Sequence, residues 1–208
     1  VAYLPQPEPG ETFTSIVRKA YPSVAELKDA TPKGYADMIF DKIEAIVASN
    51  QSYISLARTP SELFANKRQG RKSIMLGIEN GLALEGDIAN VEYFARRGIV
   101  YITLCHNGDN DICDSAKGCA THNGVSQFGE KVIAEMNRLG IMVDMSHAGE
   151  KSFYDALDIS SKPIVCSHSS ARSLCDHPRN LTDDQMRQLA RKGGVAQITL
   201  YPGFLRTV

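Results

Sequence analysis

Apolar positions along this chain keep two alternating rhythms. The first clear one is helical. In GYADMIFDKIEAIVASN, Tyr35, Met38, Ile39, Ile43, Ile46 and Val47 recur at helical spacing and mark one apolar face. YISLA then reads as a short strand. TPSELFANKRQ reads as a helix with Thr59 or Ser61 as N-cap, ending before Gly70. From there strands and helices take turns. SIMLGIE reads as a strand, DIANVEYFARRG as a helix closed by Gly98, and IVYITLCH as a strand. After a polar loop, VSQFGEKVIAEMNRLG reads as a helix closed by Gly140, IMVDMSH as a strand and EKSFYDALDIS as a helix. PIVCSH is a strand, and TDDQMRQLARKGG is a helix whose Thr182 and Gln185 are spaced as a capping box. VAQITL is the last strand. The first thirty residues, rich in Pro, Glu and Thr, read as a short strand at Val1 to Leu4 and a long loop.

These strands are near-continuous apolar runs, the pattern of parallel strands buried on both faces. Their alternation with helices implies right-handed βαβ units in an α/β fold. No linker or low-complexity stretch interrupts the series, so residues 1–208 read as one domain. No G-x-G-x-x-G follows any strand, which favours a (β/α)8 TIM-type barrel over an open nucleotide-binding sheet. About six or seven strands are legible, and a barrel takes about 250 residues, so the expected barrel is incomplete.

Composition narrows the function classes. The chain is 43% hydrophobic and 23% charged, with a net charge of -1. No basic field points to nucleic acid or an anionic membrane. No apolar run is long enough to span a bilayer. No signal peptide is visible. The chain opens on VAYLPQPEPG, without an initiator Met, so its true start is expected upstream and its compartment is unknown. Five cysteines, none in a Cys-x-x-Cys pair, argue against a disulfide framework. The spacing of Cys105, Cys113 and Cys119 fits no structural zinc pattern.

The candidate chemistry sits at strand ends. SIMLGIE ends in Glu79, IVYITLCH in His106, IMVDMSH in His147 and PIVCSH in His168; the last two both end in Ser-His. In a parallel barrel those carboxyl ends converge on the face that carries catalysis. One carboxylate and three imidazoles are the ligand set of zinc or a similar divalent ion. A lone histidine after a strand is more often a loop residue satisfied by backbone; four ligand-type residues at four strand ends favour a metal site. Asp144 reads either as a partner orienting an imidazole or as a buried structural residue. Arg179, in CDHPRN, reads either as a surface residue or as a clamp for a substrate carboxylate. His122 and His177 read as solvated loop residues. The NGDNDICDS loop is carboxylate-rich but lacks the EF-hand calcium spacing.

GIENGLAL, YITLCHNGDNDICDS, GIMVDMSHA, IVCSHSSARSLCDHPRNLTDD and GGVAQITL, taken in this order, resemble the membrane dipeptidase (renal dipeptidase) family of zinc peptidases. The resemblance implies a (β/α)8 barrel with two zinc ions that hydrolyses dipeptides by a metal-bound hydroxide. It implies that Glu79 bridges the metals and that His147 and His168 complete one of the two sites. His106 would bind substrate and stabilise the tetrahedral intermediate, and Arg179 would hold the dipeptide's terminal carboxylate. Family members are commonly dimers, so a homodimer is an expectation that travels with the resemblance.

Two family features are missing. The family's first strand carries a His-x-Asp pair for the other zinc, and none stands near residues 1–4. The family also uses a later aspartate, and the sequence stops at LYPGFLRTV. One metal site is therefore expected whole, with the rest of the barrel supplied by further sequence or a second chain. Two other readings remain open. One is a non-catalytic barrel segment. The other is a metal-dependent hydrolase of cyclic amides or esters.

Overall fold

The computed structural model describes residues 1–8, 10–20 and 30–206. By the density of contacts it divides into two units, Val1–Tyr101 and Ile102–Val208. The chain is α/β, as its sequence rhythm predicts, and every strand pairing described below is parallel.

The first unit begins with β1 (Ala2–Tyr3), followed by α1 (Phe13–Ala20) and α2 (Pro32–Ser49). Helix α1 corrects part of the long loop expected before residue 30; residues 21–29 of that stretch lie outside the described residues. Its signal is short: Phe13, Ile16, Val17 and Ala20 follow helical spacing over only two turns. The Thr12 hydroxyl accepts from the Ser15 amide at its start, Val17 is buried, and Phe13 meets Tyr35 of α2 edge to face at 5.7 Å. Next come β2 (Ile54–Leu56), α3 (Pro60–Arg68), β3 (Lys72–Ile74) and β4 (Leu76–Glu79). Thr59 is the N-cap of α3 and shares a capping box with Glu62. The run SIMLGIE, expected as one strand, is two. Its first half pairs with β2 and its second with β1. The break falls at Met75, which is exposed.

A 3-10 turn (Gly81–Leu84) leads to α4 (Ala89–Arg97), which Gly98 closes in the left-handed conformation. Leu4, Phe40, Leu76, Ile78, Leu84 and Phe94 are fully buried or nearly so and form the core of this unit. Each such side chain contributes about 1.5–3 kcal/mol by leaving water. A side chain cannot replace Gly77 in β4, because a Cβ there would overlap the ring of Tyr101.

Strand β5 (Ile99–Thr103) carries the chain across the unit boundary. The second unit continues with α5 (Gln127–Leu139), β6 (Met142–Asp144), α6 (Glu150–Ile159), β7 (Val165–Cys166), α7 (Asp183–Arg191), β8 (Val195–Ala196) and α8 (Pro202–Leu205). Strand β7 pairs with β6 on one side and β8 on the other. Gly140 ends α5 with positive φ, and the capping box of Thr182 and Gln185 opens α7 as expected. Ile102, Leu104, Ile112, Ile133, Val143, Phe153 and Ile164 form this unit's core. Strand β8 is shorter than the expected VAQITL, and Ile198 and Leu200 beyond it are exposed. Among the described residues no helix is long and apolar enough to cross a membrane.

Candidate functional site

Glu79 closes β4 in the first unit and is half-buried. It is followed by Asn80, a buried residue held at φ 86°. The Asn80 side-chain amide donates to the Leu4 carbonyl at 3.2 Å, which ties the end of β4 to β1.

The three histidines lie in the second unit, just beyond strand ends rather than within strands. Strand β5 ends at Thr103, β6 at Asp144 and β7 at Cys166. Their rings come together. His106 and His147 are 4.0 Å apart between ring centroids, and His147 and His168 are 4.9 Å apart. His147 is buried, and its backbone sits at φ 75°, a region L residues rarely adopt. Strain of this kind at a polar residue is a marker of function.

A serine that sequence reasoning passed over holds two of these histidines. The Ser115 hydroxyl lies within hydrogen-bond distance of both the His106 and the His147 carbonyl oxygens. The Ala116 amide also donates to the His147 carbonyl, at 2.8 Å. Ser115 stands in the polar loop after β5, and two carboxylates shape that loop. Asp109 accepts from the backbone amides of Ser115, Cys119 and Thr121 and from the Thr121 hydroxyl. Burial alone would raise the Asp109 carboxyl, but these hydrogen bonds outweigh it and leave it lowered. Asp114 accepts from the amides of His122 and Gly124. Asp109 and Asp114 of NGDNDICDS thus serve their own loop.

Asp144 is fully buried and resolves its two sequence readings. The Thr103 hydroxyl donates to its Oδ2 at 2.6 Å, and the Ser167 hydroxyl donates to the same oxygen at 2.6 Å. The amides of Ser146 and Ser167 donate to its Oδ1 at 3.1 and 2.9 Å. Ser167 Oγ is also 2.8 Å from His168 Nδ1. The His168 amide donates to Ser146 Oγ at 2.9 Å. Asp144 is both structural and one hydroxyl removed from an imidazole. The Cys166 thiol beside it is held protonated, first by burial and then by the Asp144 charge.

Arg179 is buried, with 3% of its surface exposed, which removes the surface reading. Its guanidinium reaches the His168 carbonyl at 3.4 Å and lies 5.4 Å from the centre of the Phe204 ring. His177 stacks on the same ring at 4.6 Å, and its Nδ1 accepts from the Arg179 amide. Burial, then the positive charges of Lys117, Arg179 and Arg172, lower its pKa. His122 is exposed, with Nε2 2.7 Å from the Asn110 carbonyl. Cys105 and Cys113 are buried. A hydrogen bond with Cys105, followed by burial, pushes the Cys113 thiol well up, so it stays protonated and is a poor metal ligand.

The sequence profile of the membrane dipeptidase family, peptidase family M19, matches residues 28–208. Dipeptidase 3 of Mus musculus is 33% identical over 174 residues, covering 81% of this chain and 35% of its own. The probable dipeptidase PvdM of Pseudomonas aeruginosa is 26% identical in its crystal structure, with a TM-score of 0.80 over 84% of this chain and 47% of that one. A metallo peptidase of Rhodobacter sphaeroides, crystallised with a phosphinate mimic of the dipeptide L-Ala-D-Ala, is 22% identical. It has the same fold, with a TM-score of 0.82 over 99% of this chain and 61% of that one. The chain spans about a third of the length of the mouse relative.

Proposed function

This chain belongs to the membrane dipeptidase family, peptidase family M19, and from that premise we propose that its residues form part of a metal-dependent dipeptidase. The observation that carries this is the packing of three imidazoles, His106, His147 and His168, ring against ring just past three strand ends. Histidines so close together fit a shared cation better than they fit one another's charge.

In this reading Glu79 supplies a carboxylate from the end of β4, and His106 and His147 supply two imidazoles from the second unit. That set suits zinc or a similar divalent ion. His168, beside His147, is a further ligand. The resemblance instead pairs Glu79 and His147 with His168 as ligands and leaves His106 to the substrate. The two assignments share Glu79 and His147 and differ only in the duty of His106. A bound divalent cation would polarise the scissile carbonyl and lower the pKa of the attacking water.

The protein's own residues do the rest. Arg179 receives the terminal carboxylate of the dipeptide, its guanidinium fixed by the His168 carbonyl and the Phe204 ring. Ser115 keeps the His106 and His147 backbones in register with each other. When His106 is not a ligand, its ring donates to the developing oxyanion.

Elemental analysis of the purified protein tests the reading. Zinc should be bound and should be lost in His147→Ala. His168→Ala should lose zinc on either assignment; if His106→Ala keeps zinc, His106 belongs to the substrate, and if it loses zinc, His106 is a ligand. A folded protein that binds no zinc would overturn the proposal. Arg179→Ala should raise KM for dipeptides strongly and spare the metal. An unchanged KM would remove the dipeptide assignment and favour hydrolysis of a cyclic amide or ester.

A further inference from the structure

The Ser167 hydroxyl has one proton and two neighbours that want different things from it. Asp144 Oδ2 lies 2.6 Å away and His168 Nδ1 2.8 Å away. The Asp144 carboxylate is an acceptor at every contact described: Thr103, the Ser146 and Ser167 amides, and Ser167 itself. The Ser167 proton therefore goes to Asp144. The Ser167 oxygen is left to accept, and the only group that can donate to it from the ring is an Nδ1–H. We propose that Asp144, acting through Ser167, is a positioning device that holds His168 as its Nδ1–H tautomer, so that Nε2 carries the lone pair offered to a cation. The inference rests on the reading of His168 as a metal ligand for its consequence, but the tautomer itself does not depend on it.

The arrangement extends a familiar device by one atom. A ligating histidine usually donates its second nitrogen directly to a carboxylate or carbonyl, which fixes the ring and makes it a better ligand. Here a serine stands between them, and the backbone is fixed as well, because the His168 amide donates to Ser146 Oγ at 2.9 Å. Both Ser-His pairs contribute: Ser146 holds the His168 main chain and Ser167 its ring.

The test is long-range 1H–15N correlation on 15N-histidine-labelled, metal-free protein at mildly alkaline pH, with the His168 signal assigned by its loss in His168→Gln. The wild type should show Nδ1–H at His168. Ser167→Ala should move it to Nε2–H or to a mixture, and Ser167→Thr, which keeps the hydroxyl, should restore Nδ1–H. Zinc titration by calorimetry should show Kd raised about 10–100-fold in Ser167→Ala and little changed in Ser167→Thr. Nε2–H in the wild type, or an unchanged tautomer in Ser167→Ala, would overturn the inference. If Ser167→Ala does not fold, the wild-type tautomer and the Ser167→Thr variant decide the matter. Absence of zinc binding in a wild type whose tautomer follows Ser167 would sink the metal-site reading and leave the positioning device standing.

Discussion

Asp109 and Asp144 are the same residue used in two ways. Asp109 takes three backbone amides and a hydroxyl, and Asp144 takes two backbone amides and two hydroxyls. Asp109 draws its donors from its own loop, Ser115 to Thr121, and is only half-buried. Asp144 draws its donors from the ends of three different strands, at Thr103, Ser146 and Ser167, and is fully buried. The first arrangement closes a loop over residues near in sequence. The second sets three segments against each other in the region where the histidines meet. A buried carboxylate with partners from many segments is costly to disturb, because every donor left behind is stranded away from water. An accessible one loses less, since water can replace it.

Asp144→Ala should show the largest effect. It strands two hydroxyls and two amides, and urea denaturation should report a loss of at least about 3 kcal/mol. Zinc affinity should fall with it, because Ser167 loses its anchor. Asp109→Ala should cost less, about 1–2 kcal/mol by the same measurement. It should leave zinc binding close to wild type. If the two losses are equal, the contrast between loop and strand-end carboxylate is wrong.

A pH series sharpens the comparison. The Asp109 carboxyl is lowered in the folded protein, so between its folded and unfolded pKa values the unfolded chain binds more protons. Its contribution is complete above about pH 4, the unfolded value, and is lost as pH falls through the folded value. Acid unfolding of Asp109→Asn should therefore be less steep than that of the wild type in this window. The smallest effect should come from Thr182→Ala, which removes a neutral cap at α7. About 1 kcal/mol is expected, and thermal melting would set this as the baseline against which both carboxylates are judged.

The alternation of strand and helix was legible because long amphipathic helices and apolar strands repeat their signals. Helix α1 was not, because two turns among prolines give too few apolar positions. The division of SIMLGIE was not legible either, since an apolar run looks the same whether one strand or two use it. At the candidate site, the histidines and Glu79 stood out because ligand-type residues fell at successive strand ends. Ser115, Ser167 and Thr103 did not. Serine and threonine are common in loops, and their roles depend on which acceptors the fold brings to them. The doubled Ser-His was the one written hint. Burial took Arg179 off the surface, and burial of an arginine cannot be read from CDHPRN.

His147 holds a backbone shape that suits glycine or asparagine, at a cost of about 1–2 kcal/mol for an ordinary side chain. This sets two selections against each other at one codon. A library sorted only for thermal resistance should enrich His147→Gly early, and the winners should be sturdier proteins. A library sorted for retained metal should keep histidine there and accept the weaker fold. Sequencing both pools would show whether this position is where endurance and chemistry part company.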